Sequence, residues 1–234
     1  MKGTERLLLV GLGVLLLASC AGPEPPTTTT PPVAEETMLR LPEPRHDSDI
    51  SLEESISRRR SVRDYADGPV TLQEVSQLLW AAQGVTSPEG SRAAPSAGGT
   101  YPLELYVVAG DVRDLGPGVY RYVPDGHQLA RTMDGDLRDK LAAAALDQPS
   151  VRDGAAVFVL AAVYARTTGR YGDRGIMYVH MEAGHAAENL VLQATALGLG
   201  SVTAGAFQDD QVSDVLDLPE DQAPLYVIPV GRKK

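Results

Sequence analysis

Between Tyr178 and Leu197 lies a stretch that admits few folds. Val179, Ala183, Ala186, Leu190, Val191, Ala194 and Leu197 recur at three- and four-residue steps and make one apolar stripe. Glu182, His185, Asn189 and Gln193 follow the same step and draw a narrow polar line on another side. Gly184 and the alanines between keep the surface low, so a second backbone can approach closely. Gly198 and Gly200 supply the stop. A helix of this length and composition leaves little surface for solvent. The pattern predicts the central helix of the domain, packed against a symmetry mate.

The N-terminus has a different character. Lys2 and Arg6 precede an apolar run from Leu7 to Leu17, too short to span a bilayer but suited to the core of a secretory signal. The run closes with Leu17-Ala18-Ser19-Cys20, which resembles the lipobox of prokaryotic lipoproteins. Residues 1–19 are therefore expected to be a signal peptide and Cys20 a lipidated N-terminus. Two acyl chains would hold such a protein stably at a cell or outer membrane, with its domain outside the cytoplasm. Cys20 is the only cysteine, which leaves the folded part without a disulfide, thiol nucleophile or cysteine metal ligand. The formal net charge of -10 argues against nucleic-acid binding, because such a field repels phosphate backbones.

From Ala21 to about Asp49 proline and threonine dominate, and the segment is expected to be a tether, residues 20–49 in all. The remainder, residues 50–234, suits one domain. Ser51 is placed to cap a short helix with Glu53 and Glu54 in its first turn. Thr71 and Glu74 form a capping box for a second helix that ends at Gly84. Leu103–Ala109 and Ala155–Tyr164 are strand candidates, the second apolar throughout and suited to burial on both faces. Residues 119–132 are expected to form a hairpin turning at Asp125-Gly126, and Asp136–Ala145 and Gln211–Leu216 helices. Leu225–Val230 is the last strand. Strands and helices mix without regular βαβ alternation, so an α+β sandwich is favoured over a dinucleotide-binding fold.

Arg58, Arg59, Arg60 and Arg63 crowd into six positions of an acidic chain. They form either a solvated basic helix end or an anion pocket in which guanidinium forks and the Ser61 hydroxyl converge on a phosphate. Arg59-Arg60-Ser61-Val62-Arg63-Asp64-Tyr65 and the following Gly68–Gly84 run are similar to the opening of FMN-dependent nitroreductase-fold enzymes. Ala94-Pro-Ser-Ala-Gly-Gly-Thr-Tyr-Pro-Leu-Glu104, Pro117–Tyr122, Glu182-Ala-Gly-His185 with Asn189, and Gly198-Leu-Gly200 resemble the SagB-type dehydrogenase branch.

That resemblance covers about residues 51–231 and implies a three-layer α-β-α sandwich with a mixed sheet, forming a homodimer with FMN at its interface. It implies that Arg59, Ser61 and Arg63, with Arg60 close by, hold the FMN phosphate and ribityl chain. Pro95, Ser96 and Gly98 would come from the other subunit. Gly205 and Ala206 would offer backbone N–H groups near flavin N5, and Arg232 would reach the phosphate. The azoline-oxidising members carry a Lys-Tyr pair; Arg170-Tyr171 stands in its place here, and arginine is a poor base. Tyr171 and Gly205 are then the candidate catalytic residues. The implied activity is hydride transfer through the flavin to or from a small organic substrate. The alternatives are an azoline-type dehydrogenase acting on an extracytoplasmic peptide, and a non-catalytic flavin-binding or interaction lipoprotein. Residues 86–96 and 170–177 are expected to roof the cleft.

Three rival constellations are weaker. Glu182-x-x-His185 is half of a di-iron carboxylate site with no second half, so no metal is expected and His185 is read as a core histidine. Gly198-Leu-Gly200 lacks a third glycine and follows a helix. Ser96 lacks the nucleophile elbow of a serine hydrolase.

Overall fold

A computed structural model describes residues 37–234, and the N-terminal expectations, Cys20 and its lipid included, lie outside them. In chain order the elements are β1 (Met38–Arg40), α1 (Leu52–Arg58), β2 (Tyr65–Ala66), β3 (Val70–Thr71), α2 (Leu72–Gln83), β4 (Leu103–Ala109), β5 (Val112–Arg113), β6 (Gly118–Val123) and β7 (Gln128–Asp134). There follow α3 (Arg138–Ala144), α4 (Pro149–Asp153), β8 (Ala156–Ala162), α5 (Tyr164–Tyr171), α6 (Arg174–Ala196), β9 (Leu199–Ser201), α7 (Asp209–Leu216) and β10 (Ala223–Lys233).

The main sheet runs β1-β7-β6-β4-β8-β10-β2, with β9 also paired to β10. Its strand pairs are antiparallel. Among the described residues, parallel pairing is found in the small β3–β5 ladder and in a bridge between Ser61 and Ser201. Period-two alternation divides the central strands between two cores. Leu103, Leu105 and Val107 of β4 and Phe158 and Leu160 of β8 face α2 and α6. Tyr106, Val108, Val157 and Val159 face α3, α4 and α7. β8 reads as an unbroken apolar run because helices cover both of its sides. Each large aliphatic or aromatic side chain removed from water there contributes about 1.5–3 kcal/mol. The result is the expected three-layer α-β-α sandwich, with α6 at the centre of one layer.

The structure departs from the sequence expectations in particular places. Met38–Arg40, read as tether, is a strand paired with Ala130, Leu129 and Gln128. It covers the open edge of β7, and a three-residue strand is too short for its alternation to show. The strand expected to reach Tyr164 stops at Ala162, and α5 begins where Tyr164-Ala-Arg-Thr-Thr-Gly-Arg shows no apolar stripe; only Thr167 of this helix is buried. Gly172, at φ 57°, separates α5 from α6, which starts at Arg174 instead of Tyr178. α4 was signalled by Pro149 in its first turn and was not anticipated. The last strand extends to Lys233, three residues beyond the expected end.

Candidate functional site

The arginine run is held by the elements on either side of it. Ser51 Oγ accepts the backbone N–H of Glu54 at 3.1 Å and starts α1, and Arg58 pairs with Glu54 one turn back. Arg60 Nη1 donates to the carbonyls of Ser57 (2.9 Å) and Arg59 (2.7 Å), tying up free acceptors at the helix end. The chain then turns extended, and Val62 N–H donates to Ser201 O at 2.9 Å. Two glycines permit this docking. A Cβ on Gly200 would lie 2.7 Å from Val62 Cγ1, and one on Gly231 would lie 2.7 Å from the Tyr65 ring. Tyr65 is buried, its hydroxyl 3.1 Å from Val62 O and 3.2 Å from Pro229 O. Burial drives its phenol pKa far up and keeps it a neutral donor. Arg60, Ser61 and Arg63 are exposed, and half-buried Arg59 lies 3.9 Å from the Glu188 carboxylate of α6.

Ser201 leads from β9 to Ala204, whose N–H and C=O both bond Val227 at 2.9 Å. Gly205 and Ala206 follow on the surface, and a Cβ on Gly205 would meet nothing within 4 Å. The Ser61–Ser201 bridge thus places the arginine run and this backbone segment on neighbouring parts of one sheet end. Arg232 is engaged in another way. Its guanidinium donates to Pro69 O (2.8 Å) and to both oxygens of Glu74 (2.7 Å each), leaving two of its five N–H donors for any phosphate.

The second group lies at the C-terminal end of α5. Ser96 Oγ accepts the N–H of Tyr101 at 2.9 Å, and Gly98 sits in the left-handed region at φ 62°. Arg170 Nη1 donates to Gly98 O at 3.0 Å. A Cβ on Gly98 would come within 2.4 Å of the Tyr171 hydroxyl, so the Arg170-Tyr171 pair rests directly on this loop. Tyr171 also meets Tyr178 edge to face at 5.2 Å. Pro95 and Gly98 are exposed, whereas Ser96 is half-buried, close enough to Glu182 to favour its ionised carboxyl. Glu182 is 2 % exposed, and its Oε1 has no hydrogen-bond partner. Burial raises its pKa to about 7 against the opposing pull of Ser96 and Arg92.

The sequence-derived residues therefore gather in two sets within one chain. Arg59, Arg60, Ser61, Arg63, Gly205 and Ala206 make one, and Pro95, Ser96, Gly98 and Tyr171 the other. Both touch α6, through Glu188 and Glu182, about 9 Å apart along its axis. Glu182 was read as part of a polar line, of a family motif and of half a metal site, with no role at the cleft, and its neighbour in that motif, His185, is exposed instead of lying in the core. Among the described residues no three His, Cys, Asp or Glu side chains come together. The link from Arg166 to Glu104 (2.6 Å) and Tyr101 O (3.1 Å) was also missed; the i, i+4 spacing of Arg166 and Arg170 is the signal that both reach the same loop.

The Nitroreductase family model matches residues 56–232. The chain belongs to the nitroreductase family. A Methanocaldococcus jannaschii protein named as a nitroreductase, MJ1384, is 49% identical over 185 residues, which cover 79% of this chain and 92% of that one. A solved nitroreductase-type chain from Ralstonia eutropha shares 30% identity at a TM-score of 0.73, with 84% of this chain and 90% of that one covered. Another, from Anabaena variabilis, shares 33% identity at a TM-score of 0.70; 78% of this chain is covered but only 38% of that one. A nitroreductase-family chain is an oxidoreductase, and members are typically FMN-dependent.

Proposed function

We propose that this nitroreductase-family chain is a lipid-anchored, FMN-dependent oxidoreductase that works as a homodimer outside the cytoplasm. The observation that carries the reading is the pairing of Ser61 with Ser201. It joins the run that holds exposed Arg60 and Arg63 and half-buried Arg59 to the strand that leads on to the exposed Gly205–Ala206 backbone. Guanidinium forks and a hydroxyl suit a phosphate tail, and open N–H groups suit an acceptor atom on a planar ring. These donors lie on exposed surface, as does the Pro95–Gly98 loop, which fits a cleft whose two walls come from two protomers. α6 supports the same reading, because Ile176, Met177 and Met181 expose 44–49% of their surface along it.

FMN bound there supplies two-electron chemistry through hydride transfer at N5. The residues of this chain do the rest. Arg59, Ser61 and Arg63 would hold the FMN phosphate, and Gly205 and Ala206 would offer N–H groups to the ring. Pro95–Gly98 forms a wall that limits water, and Tyr171 moves a proton at its phenol oxygen to or from the substrate. A second reading, a SagB-like dehydrogenase of an extracytoplasmic peptide, draws support from the contact of Arg170-Tyr171 with Gly98. Arginine is a poor base, so in either reading Arg170 holds the loop and leaves proton transfer to Tyr171.

The test begins with the colour of the purified full-length protein. A yellow dimer bleached by NAD(P)H supports the reductase, and a yellow dimer indifferent to it supports the dehydrogenase. A colourless protein that ignores added FMN overturns both. Replacing Arg59 and Arg63 together by Ala is expected to weaken FMN retention at least a hundredfold, since each charge-assisted bond contributes about 1.5–3 kcal/mol. Unchanged retention on gel filtration would remove the arginine run from the phosphate site.

A further inference from the structure

Residues 41–46 run beside α2 without joining a helix or strand, and side chains hold them there. Gln77 of α2 bonds Arg45 twice, its Oε1 accepting the backbone N–H at 2.7 Å and its Nε2 donating to the carbonyl at 3.0 Å. Gln73 Nε2 donates to Glu43 O at 3.1 Å, and His46 meets the Trp80 ring edge to face at 5.1 Å. From the β6–β7 hairpin, His127 O accepts the Leu41 N–H at 3.1 Å.

The His127 ring reaches the same segment through a chain of bonds whose direction is fixed. The Pro42 carbonyl can only accept, so Ser76 Oγ gives it its proton at 2.5 Å. Ser76 Oγ is 2.7 Å from His127 Nε2 and is left as the acceptor there, so Nε2 carries the ring hydrogen. Nδ1 is then bare and accepts the Tyr122 hydroxyl at 2.8 Å. The reverse tautomer would strip Pro42 O of the Ser76 proton and leave the Tyr122 proton without an acceptor. One neutral form of His127 satisfies every group in the chain.

An imidazolium does not. A proton added at Nδ1 meets the Tyr122 hydroxyl hydrogen, and Tyr122 is 1 % exposed, so that hydrogen has no water to turn to. Glu43 of the segment faces the ring, but Arg40 already holds its carboxylate at 2.9 Å. His46 lies further along the segment, Asp125 is exposed at the hairpin tip, and α2 offers only the neutral Ser76, Gln77 and Trp80 on this side. Burial accordingly lowers the His127 pKa against the opposing pull of Pro42 O and Glu43. A cavity of about 320 Å³ beside the ring, lined by Arg40, Glu43, His46, Trp80 and Pro124, gives protons a way in.

We infer that residues 42–46 are an acid-opened strap, released from α2 and the hairpin when His127 takes up a proton and breaks the Tyr122–His127–Ser76 chain. Leu41, 3 % exposed, and β1 before it stay in place as the hinge. The closed strap binds fewer protons than the open one. Closure is therefore complete above the ordinary histidine value of 6.5 and is lost as pH falls below it. The device is independent of the flavin reading, because none of its groups belongs to that cleft.

Hydrogen exchange of the full-length protein, corrected for the intrinsic rate at each pH, reads the strap at the Arg45 N–H. Its protection is expected to fall at least tenfold between about pH 8 and about pH 5 while β8 keeps its own, which separates opening from unfolding. Trp80, the one tryptophan of the chain, is expected to shift its emission to the red over the same range. His127→Gln keeps a donor for Ser76 but takes up no proton, and is expected to hold the strap closed at about pH 5. Tyr122→Phe removes the hydroxyl that opposes protonation and is expected to raise the opening midpoint by about half to one pH unit. His46→Gln removes the strap's own imidazole and is expected to leave the midpoint where it is. Protection that survives to about pH 5, or opening that persists with His127→Gln, overturns the inference. If His127→Gln leaves the strap open even at about pH 8, the Tyr122→Phe midpoint decides, and an unmoved midpoint overturns it.

Discussion

Glu182 shows how one side chain acquires chemistry from where it is placed. On a free chain its carboxyl would lose its proton near 4.5; buried on α6 under Ser96 it keeps it up to about 7. The folded state therefore holds more protons than the unfolded state between those values, and stability falls as pH rises through that window. Above about 7 the full penalty is present. Glu182→Gln removes the titration while preserving shape and an acceptor for Ser96. The variant is expected to gain about 2–3 kcal/mol over the natural protein on going from about pH 4 to pH 8, measured by urea unfolding. Parallel pH profiles for the two proteins would show that burial is not acting on this group. The sequence marked Glu182 as a polar residue in line with His185, yet it could not separate the two. Which of them faces the sheet depends on a rotation of α6 that its neighbours set.

Helices with local start signals were legible. Ser51 and the Thr71–Glu74 box stand where the sequence places them, because a cap involves residues three apart and needs nothing distant. Glu74 serves twice: it accepts the Thr71 backbone N–H at 2.7 Å and grips Arg232 from the end of β10. Burial alone would raise its pKa, but the Arg232 pair and the Thr71 bonds outweigh it and lower the value. Thr71→Ala removes the cap bond from Glu74 N–H and the hydroxyl's bond to Glu74 Oε2, and is expected to lower stability by about 1 kcal/mol, read from the chemical-denaturation midpoint. A loss much above that would mean the cap also holds Arg232 in place. α5 was illegible for the opposite reason. It has no side-chain cap and almost no buried face, and its position depends on arginines reaching a loop some seventy residues earlier in the chain.

At the scale of the whole molecule the exposed face of α6 and the two separated sets of site residues are one observation. If the protomers meet along α6, Met181→Asp places a charge in the seam. Sedimentation velocity is then expected to show a monomer at micromolar concentration, and the same preparation should lose its flavin. A dimer that persists with Met181→Asp would place the interface elsewhere.

The β6–β7 hairpin, the buried strand β8, the caps and the small-residue helix were determined by the sequence alone, because each is a short-range pattern of side-chain size and polarity repeated at the period of its backbone. Only the tertiary structure decided that Met38–Arg40 closes an edge of the sheet, that Arg232 answers Glu74, and that the Gln83 amide accepts from Arg92. Those are pairings between distant positions, and what selects them is the cost of leaving a backbone group, a charge or an amide without a partner once water has been removed.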